Sequence, residues 1–318
     1  MATFFADFLP MMVAQALGLG QVPRIPEPSG VMAGEENVVE YNEAMATKFA
    51  VAYAAGLEIV HRVMEKVSGG SAMDLACGPG HNTMCFAKYL GFDEVLGTDL
   101  SECMVRAATE NAHREGLAGK IRFEVRDAVQ PDESTAGKWD LVTFCHAAHH
   151  MPTIDMLAQV LRCMDHYAKR DGLVMVMDLV RLRTAKLNDR FVNVLGHDYL
   201  ERGLQHYFKD FQNSMLASWT PAEMVSAVPR ETRRWWCHLL PRGLPTTQIL
   251  LGLPVGRKQV FVRSGWGVAG HPLFREWYSR WERQVSPAWA KETLHDAKLL
   301  WMTLFRGSKR MFPPSDSL

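Results

Sequence analysis

The chain has 318 residues with 35 Lys+Arg and 35 Asp+Glu, so its formal charge at pH 7 is zero. Hydrophobic residues make up 47% and charged residues 22%, the balance of an ordinary soluble globular protein of one large or two modest domains. Neutral charge disfavours nucleic-acid binding, which depends on clustered Lys and Arg.

Six dispersed cysteines form no CxxC pair and no Cys/His cluster with zinc-finger spacing, which favours free thiols in a reducing cytosol. Residues 1–20 have no Lys or Arg before their hydrophobic run, and Asp7 and Pro10 interrupt it, which disfavours a secretory signal. Because no later stretch approaches about 18 uninterrupted apolar residues, no transmembrane segment is expected. The predicted location is cytoplasmic.

The first 70 residues are predicted to form a helical cap or lid. Residues 1–20 suit a short amphipathic helix, and three prolines within residues 21–30 predict an extended connector. Helical spacing of apolar residues from Glu35 to Val67 predicts a helix, which Gly69 and Gly70 end.

From Ser71 onward the pattern alternates between strand and helix. Five apolar strands are predicted, at Ser71–Ala76, Val95–Leu100, Ile121–Arg126, Asp140–Cys145 and Gly172–Asp178. Helices are predicted between them, at His81–Leu90, Cys103–Glu115 and Pro152–Ala168. Strands separated by helices of about 10–15 residues predict a parallel, doubly wound sheet.

After Asp178 the pattern changes to a helical insert over residues 187–219. Thr220-Pro221-Ala222-Glu223 predicts a helix start, and Arg233–Leu240 with Lys258–Arg263 predicts an antiparallel pair at a sheet edge. The last stretch, His271–Phe312, holds four of the nine tryptophans. It predicts amphipathic helices, because Phe274, Trp277, Trp281 and Val285 recur at helical spacing. The predicted domains are residues 1–70, 71–264 and 265–318.

The most informative stretch is the glycine-rich turn after the first predicted strand. Asp74 ends the strand, Gly78 and Gly80 allow a sharp turn against a ligand, and the next helix presents free N–H groups at its start. A second acidic residue, Asp99, follows 25 positions later at the end of the next strand. A carboxylate in that place can accept hydrogen bonds from both ribose hydroxyls of a nucleoside cofactor.

These residues resemble the motifs of class I S-adenosylmethionine (SAM) dependent methyltransferases. Asp74-x-x-Cys77-Gly78-x-Gly80 is similar to the first motif of that family, and Thr98-Asp99-Leu100-Ser101 followed by Met104 is similar to the second. Arg126-Asp127-Ala128 resembles the third motif, Trp139 to His146 resembles the fourth, and His149-His150-Met151 resembles a histidine pair of small-molecule members. Arg170-Asp171-Gly172-Leu173 stands where the family has a Pro-Gly-Gly turn.

The resemblance implies a Rossmann-like, seven-stranded, mostly parallel sheet with an antiparallel last strand and helices on both faces. It implies SAM as cofactor, S-adenosylhomocysteine as product, and no metal. Gly78 and Gly80 would pass beneath the methionine part, Asp74 would orient its amino group, and Asp99 would hold the ribose. Around the adenine the resemblance places Leu100, Met104, Asp127 and Ala128. Cys145 would border the sulfonium, and Ala76 and Asn82 complete the expected cofactor set.

A nicotinamide-type Rossmann protein or a binding module remains the alternative interpretation of the glycine-rich turn. Nicotinamide folds prefer glycine at the third fingerprint position, where this chain has Thr83. Nucleic-acid methylation is disfavoured, because Cys145-His146-Ala147-Ala148 stands where such enzymes carry Asn/Asp-Pro-Pro-aromatic.

Methyl transfer requires a base only if the acceptor carries a proton that must be removed. The candidates are His146, His149 and His150, and each of these histidines could instead bond loop backbone. Asp178 could face the same cleft or cap the next turn. Tyr41 could belong to a lid over the cofactor, and His197 and Tyr207 of the insert could roof the acceptor, although packing is the alternative for all three.

The sequence therefore predicts a SAM-dependent methyltransferase acting on a small-molecule acceptor through oxygen, nitrogen or sulfur. The alternatives are a protein or peptide methyltransferase that docks its partner through the Trp-rich tail, and a SAM-binding protein without activity. That tail could also cover the sheet edge, form a homodimer or lie on a membrane surface. The absence of a carboxylate cluster in the sequence disfavours the divalent-metal catechol type.

Overall fold

The computed structural model describes residues 10–11, 13–15, 17–18, 20–28, 35–47, 50–64, 69–240, 246–254 and 308–312. Eight strands form one sheet: β1 Ser71–Leu75, β2 Glu94–Asp99, β3 Ile121–Val125, β4 Trp139–Cys145, β5 Ala168–Leu179, β6 Arg234–Leu240, β7 Thr247–Pro254 and β8 Ser308–Phe312. Their order in the sheet is β3-β2-β1-β4-β5-β7-β6-β8.

Eight α-helices of the described chain accompany the sheet: α1 Glu35–Thr47, α2 Ala50–Val63, α3 His81–Cys85, α4 Glu102–Arg114, α5 Ile154–Tyr167, α6 Ala185–Glu201, α7 Gln205–Ala217 and α8 Pro221–Ser226. A π-helical turn, Phe86–Leu90, continues α3. In the part of the chain that the structure describes, no helix combines the length and apolar character needed to span a membrane.

The predicted doubly wound sheet is confirmed. Strands β1 to β5 pair in parallel, and β7 runs antiparallel between β5 and β6. Apolar side chains of these strands are buried on both faces of the sheet, in two separate clusters. Because the first five strands are parallel, their carboxyl ends lie along one edge, where α/β proteins bind ligands.

Three predicted elements differ from the structure. The partner of β6 is Thr247–Pro254, a continuous apolar run without the alternation that identifies a strand, while Lys258–Arg263 lies outside the described residues. Ser308–Phe312, predicted to be helical, pairs as β8 with the otherwise open edge of β6. The helical insert is two helices, because Gly203 takes a φ of +78° between them.

Residues 20–28 form an extended strap across the carboxyl edge of the sheet. Arg24 clamps it by donating hydrogen bonds to the carbonyl oxygens of Ala217, at 2.7 Å, Pro152, at 2.8 Å, and Met151, at 2.6 Å. Its guanidinium also lies 3.6 Å from the ring centroid of Trp219. The strap, α1 and α7 together cover the edge where the glycine-rich turn ends.

Candidate active site

Asp74 lies buried at the end of β1, beneath the glycine-rich turn. Its carboxylate accepts hydrogen bonds from the hydroxyls of Thr143, at 2.5 Å, and Thr83, at 2.7 Å. Burial raises the pKa of Asp74 to about 6, although these hydrogen bonds oppose the shift. Two neighbouring elements, β4 and α3, therefore hold this carboxylate in one orientation.

The two glycines of the turn have different neighbours. Gly78, with a φ of +53°, lines a cavity beside the turn, and a Cβ there would lie 3.6 Å from Cε1 of Tyr41. Gly80, with a φ of +79°, packs against Phe123, and a Cβ on it would approach that ring to 2.8 Å. Gly80 thus shapes the turn from below without lining the cavity.

Asp99 lies at the end of β2 and faces the turn. Its Oδ2 accepts a hydrogen bond from the Gly78 N–H at 2.8 Å, and its Oδ1 accepts one from the Ser101 N–H at 2.9 Å. Burial raises the pKa of Asp99 while these backbone hydrogen bonds oppose the shift. Since each carboxylate oxygen can accept about two hydrogen bonds, both oxygens keep capacity for a ligand.

A cavity of about 470 Å³ joins this turn to the loop after β4. The predicted site residues that line it are Tyr41, Asp74, Ala76, Gly78, Asn82, Asp99, Leu100, Met104, Asp127, Ala128, Cys145, His146, His150 and Tyr207. Of the other predicted residues, Gly80, His149 and Asp178 do not line it, and the side chain of His197 lies outside the described residues. Leu100 is 49% exposed, which leaves its side chain open to contact with a planar ligand.

His146 ends β4 in a left-handed backbone conformation, with a φ of +54°. Its N–H donates to the Met177 carbonyl oxygen at 2.7 Å, which fixes the start of the loop. Burial lowers the pKa of His146 to about 4, so the imidazole is neutral at pH 7 and is a weak proton acceptor.

His149 and Asp178 form a buried pair behind the cavity wall. Nδ1 of His149 lies 2.7 Å from Oδ1 of Asp178, and the His149 N–H donates to Oδ2 at 2.7 Å. Burial opposes charge on the imidazole, but Asp178 prevails and raises the pKa of His149 to about 9. The same contact lowers the pKa of Asp178, against the effect of burial. Asp178 therefore orients His149, with Nε2 of the ring left for other contacts.

Glu27, which is not among the site residues predicted from the sequence, comes from the strap and contacts His150. Its Oε2 is hydrogen-bonded to Nδ1 of His150, and its Oε1 accepts a hydrogen bond from the Ser214 hydroxyl at 2.7 Å. Burial would raise the pKa of Glu27, but His150 and His149 lower it to about 2. Pro26 and Pro28 flank this lone acidic residue, the only local signal that its backbone is fixed.

The roof of the cavity joins α1 to α7. The rings of Tyr41 and Tyr207 meet edge to face with centroids 5.5 Å apart. Beside them, Glu40 of α1 contacts Nδ1 of His206 at 2.7 Å. Asp210, one turn further along α7, lines the cavity, and burial followed by the charge of Glu27 raises its pKa.

Residues 72–172 match the sequence model of a family described as a methyltransferase domain. The mitochondrial ubiquinone biosynthesis O-methyltransferase of Saccharomyces cerevisiae is 23% identical over 164 residues, which cover 51% of this chain and 50% of that protein. The chloroplastic tocopherol O-methyltransferase of Arabidopsis thaliana is 37% identical over 81 residues, which cover 25% of this chain and 22% of that protein. The chain thus spans half or less of the length of these curated relatives.

Among solved structures, a SAM-dependent methyltransferase from Aquifex aeolicus is similar with a TM-score of 0.48 and 12% identity. The likeness covers 70% of this chain and 100% of that one.

The residues around the glycine-rich turn fit SAM, the cofactor of this family. Asp99 keeps capacity to accept a hydrogen bond from a ligand, and the cavity it lines is also lined by the exposed Leu100 and the buried Met104, which the resemblance assigns to the adenine. Asp127, held by the Val129 N–H at 3.0 Å, borders the same end. Residues 72–172 are a methyltransferase domain by their family match, and the motifs and the strand order around them resemble those of class I SAM-dependent methyltransferases.

Proposed function

We propose that this protein transfers the methyl group of SAM to an oxygen atom of a small hydroxylated acceptor. The observation that carries the proposal is the single cavity that runs from Asp99 to the Glu27–His150 pair. One end of it suits the cofactor, and the strap and α7 border the other. A concave cavity of this size favours a small molecule over a folded protein partner.

The acceptor end combines an apolar wall with a few polar groups. Met45, Tyr53 and Tyr207 line it together with Cys145 and Met151, and they suit the body of an aromatic or aliphatic acceptor. The relatives from yeast and Arabidopsis are named as O-methyltransferases of ubiquinone biosynthesis and of tocopherol. Those names support oxygen as the methylated atom.

SAM supplies a methyl group already activated by the sulfonium, so the protein's task is to align the acceptor, exclude water and remove the hydroxyl proton. His146 is a weak base because burial keeps its pKa low, and His149 lies behind the cavity wall. The groups placed to receive the proton are His150 and Asp210, which both line the acceptor end. The raised pKa of Asp210 makes it a stronger base than an exposed carboxylate.

The test is transfer of the methyl group from methyl-labelled SAM to a panel of hydroxylated aromatic compounds, with matched methoxy compounds as controls. We expect label in at least one hydroxylated compound and none in its methoxy analogue. Transfer to amines, thiols or proteins alone would contradict the choice of oxygen. SAM binding without transfer to any acceptor would favour a SAM-binding protein without activity.

A further inference from the structure

Glu27, His149 and His150 bring three potential metal ligands together at the acceptor end. One donor atom from each residue lies within 4.8 Å of the other two. Within this group, Nε2 of His149 lies 3.9 Å from Oε1 of Glu27, and Nδ1 of His150 is hydrogen-bonded to Oε2 of Glu27. Ligands that bind one ion at about 2.0–2.2 Å stand about 3–4 Å apart, so small side-chain rotations close the set.

Hydrogen bonds from neighbouring residues orient these ligands, as they do in metal sites. Asp178 holds Nδ1 of His149 at 2.7 Å, which directs Nε2 of the ring toward Glu27. A carboxylate that fixes a histidine in this way sets its tautomer and increases its basicity as a ligand. Ser214 holds the other side of Glu27, through Oε1 at 2.7 Å, and Arg24 clamps the strap that carries it.

The group is open on one side only. Glu27 and His150 line the cavity, whereas His149 lies in the wall behind them, 4% exposed. An ion held by all three would have its remaining coordination positions toward the acceptor end. Three protein ligands with open positions are typical of catalytic metal sites, and structural sites are closed by four.

We propose that Glu27, His149 and His150 form a binding site for one divalent transition-metal ion that is open to the acceptor. Two imidazoles and one carboxylate are the donor set of catalytic zinc and of non-haem Fe(II) sites. An oxygen of the acceptor can occupy an open position, a role that rests on the proposed function. With His150 as a ligand, Asp210 is the cavity residue left to receive the hydroxyl proton. Glu27 and His150 lie 123 positions apart in the chain, so no local motif in the sequence marks this set of ligands.

The test is calorimetric titration of the full, chelator-treated protein with Zn²⁺, Mn²⁺ and Co²⁺. We expect one ion per chain, and at least tenfold weaker binding in Glu27→Gln and in His150→Gln. The matched control is His166→Gln, since His166 pairs with Glu133 at 3.3 Å on the surface, away from the cavity. That variant should bind the ion as the wild type does. SAM affinity, measured in every variant, verifies that each is folded.

X-ray absorption of the zinc-loaded wild type identifies the ligands without any variant. A spectrum with nitrogen and oxygen donors, including two imidazoles, supports the proposed site. A spectrum with sulfur donors would show that cysteines bind the ion and would overturn the proposal. Absence of saturable binding, or equal binding in Glu27→Gln and His150→Gln, also overturns it. If the protein bound the ion but transferred no methyl group, the proposed function would be contradicted and the metal site would still be supported.

Discussion

The two ends of the cavity are built in different ways. The cofactor end comes from consecutive strand–turn–helix units, and its central contact joins Asp99 to Gly78, 21 positions apart. The acceptor end joins distant segments, since Glu27 reaches His150 across 123 positions and Ser214 across 187. A site made of neighbouring motifs can be recognised in the sequence, whereas one made by long-range packing becomes visible only in the fold. The same difference predicts that each end can be damaged with the other left intact.

The largest effect is expected from Arg24→Ala, which should disrupt the acceptor end of the cavity and leave the cofactor end intact. Arg24 makes several hydrogen bonds to carbonyl oxygens and stacks on Trp219, so its loss should lower the free energy of unfolding by about 3 kcal/mol. Methyl transfer should fall with it, because the strap carries Glu27. SAM affinity should stay within about twofold of wild type, as calorimetry can check. Arg24→Lys keeps the positive charge but loses the several N–H donors of the guanidinium. Its free energy of unfolding and its methyl transfer should therefore lie between those of wild type and Arg24→Ala. If Arg24→Ala lost SAM affinity by as large a factor as methyl transfer, the two ends of the cavity would not be independent.

Asp74→Asn should change how the stability of the protein depends on pH. The folded-state pKa of Asp74, about 6, lies above its unfolded value, so burial favours the protonated form. Wild type should therefore lose roughly 2–3 kcal/mol of stability as pH rises from about 4 to 6, while the variant, which cannot ionise there, loses none of it. Denaturant unfolding of both proteins at several pH values measures the difference. Parallel pH profiles would show that Asp74 is ionised normally in the fold.

Asp99→Ala should break the cofactor end alone. Asp99 accepts a hydrogen bond from the Gly78 N–H, and we expect it also to accept from the ribose hydroxyls, so its removal should weaken SAM binding by about 1–3 kcal/mol. Calorimetric titration with SAM measures the loss, and metal binding at Glu27 serves as the internal control because it should not change. Normal SAM affinity in this variant would show that the motif alignment is wrong.

The smallest effect is expected from Leu100→Ala. Because Leu100 is 49% exposed, its truncation should leave the melting temperature within about 1 °C. It should nevertheless weaken SAM binding by roughly 0.5–1.5 kcal/mol, because the variant buries less apolar area against a planar ring. A variant with lowered stability and unchanged SAM affinity would mean that Leu100 packs within the fold and does not face the cofactor.

The sequence was sufficient for the parallel strands and for naming most of the residues that line the cavity beside the glycine-rich turn, because strand–helix alternation and that turn are local patterns. It missed Thr247–Pro254, since a strand buried on both faces lacks alternation, and it predicted a helix where Ser308–Phe312 forms a strand. Their positions after β4 and at the end of β5 also made His149 and Asp178 candidates to face the cavity with His150. The fold turns His149 inward to Asp178, and nothing near Glu27 in the sequence indicates the partner it meets.

The most direct test of the account is calorimetric titration of the purified protein with SAM, S-adenosylhomocysteine and NAD. We expect SAM and S-adenosylhomocysteine to bind with similar affinity, one per chain, and NAD to give no heat of binding. Binding of NAD, or no binding of SAM to the folded protein, would contradict the assignment of the cavity to a methyltransferase.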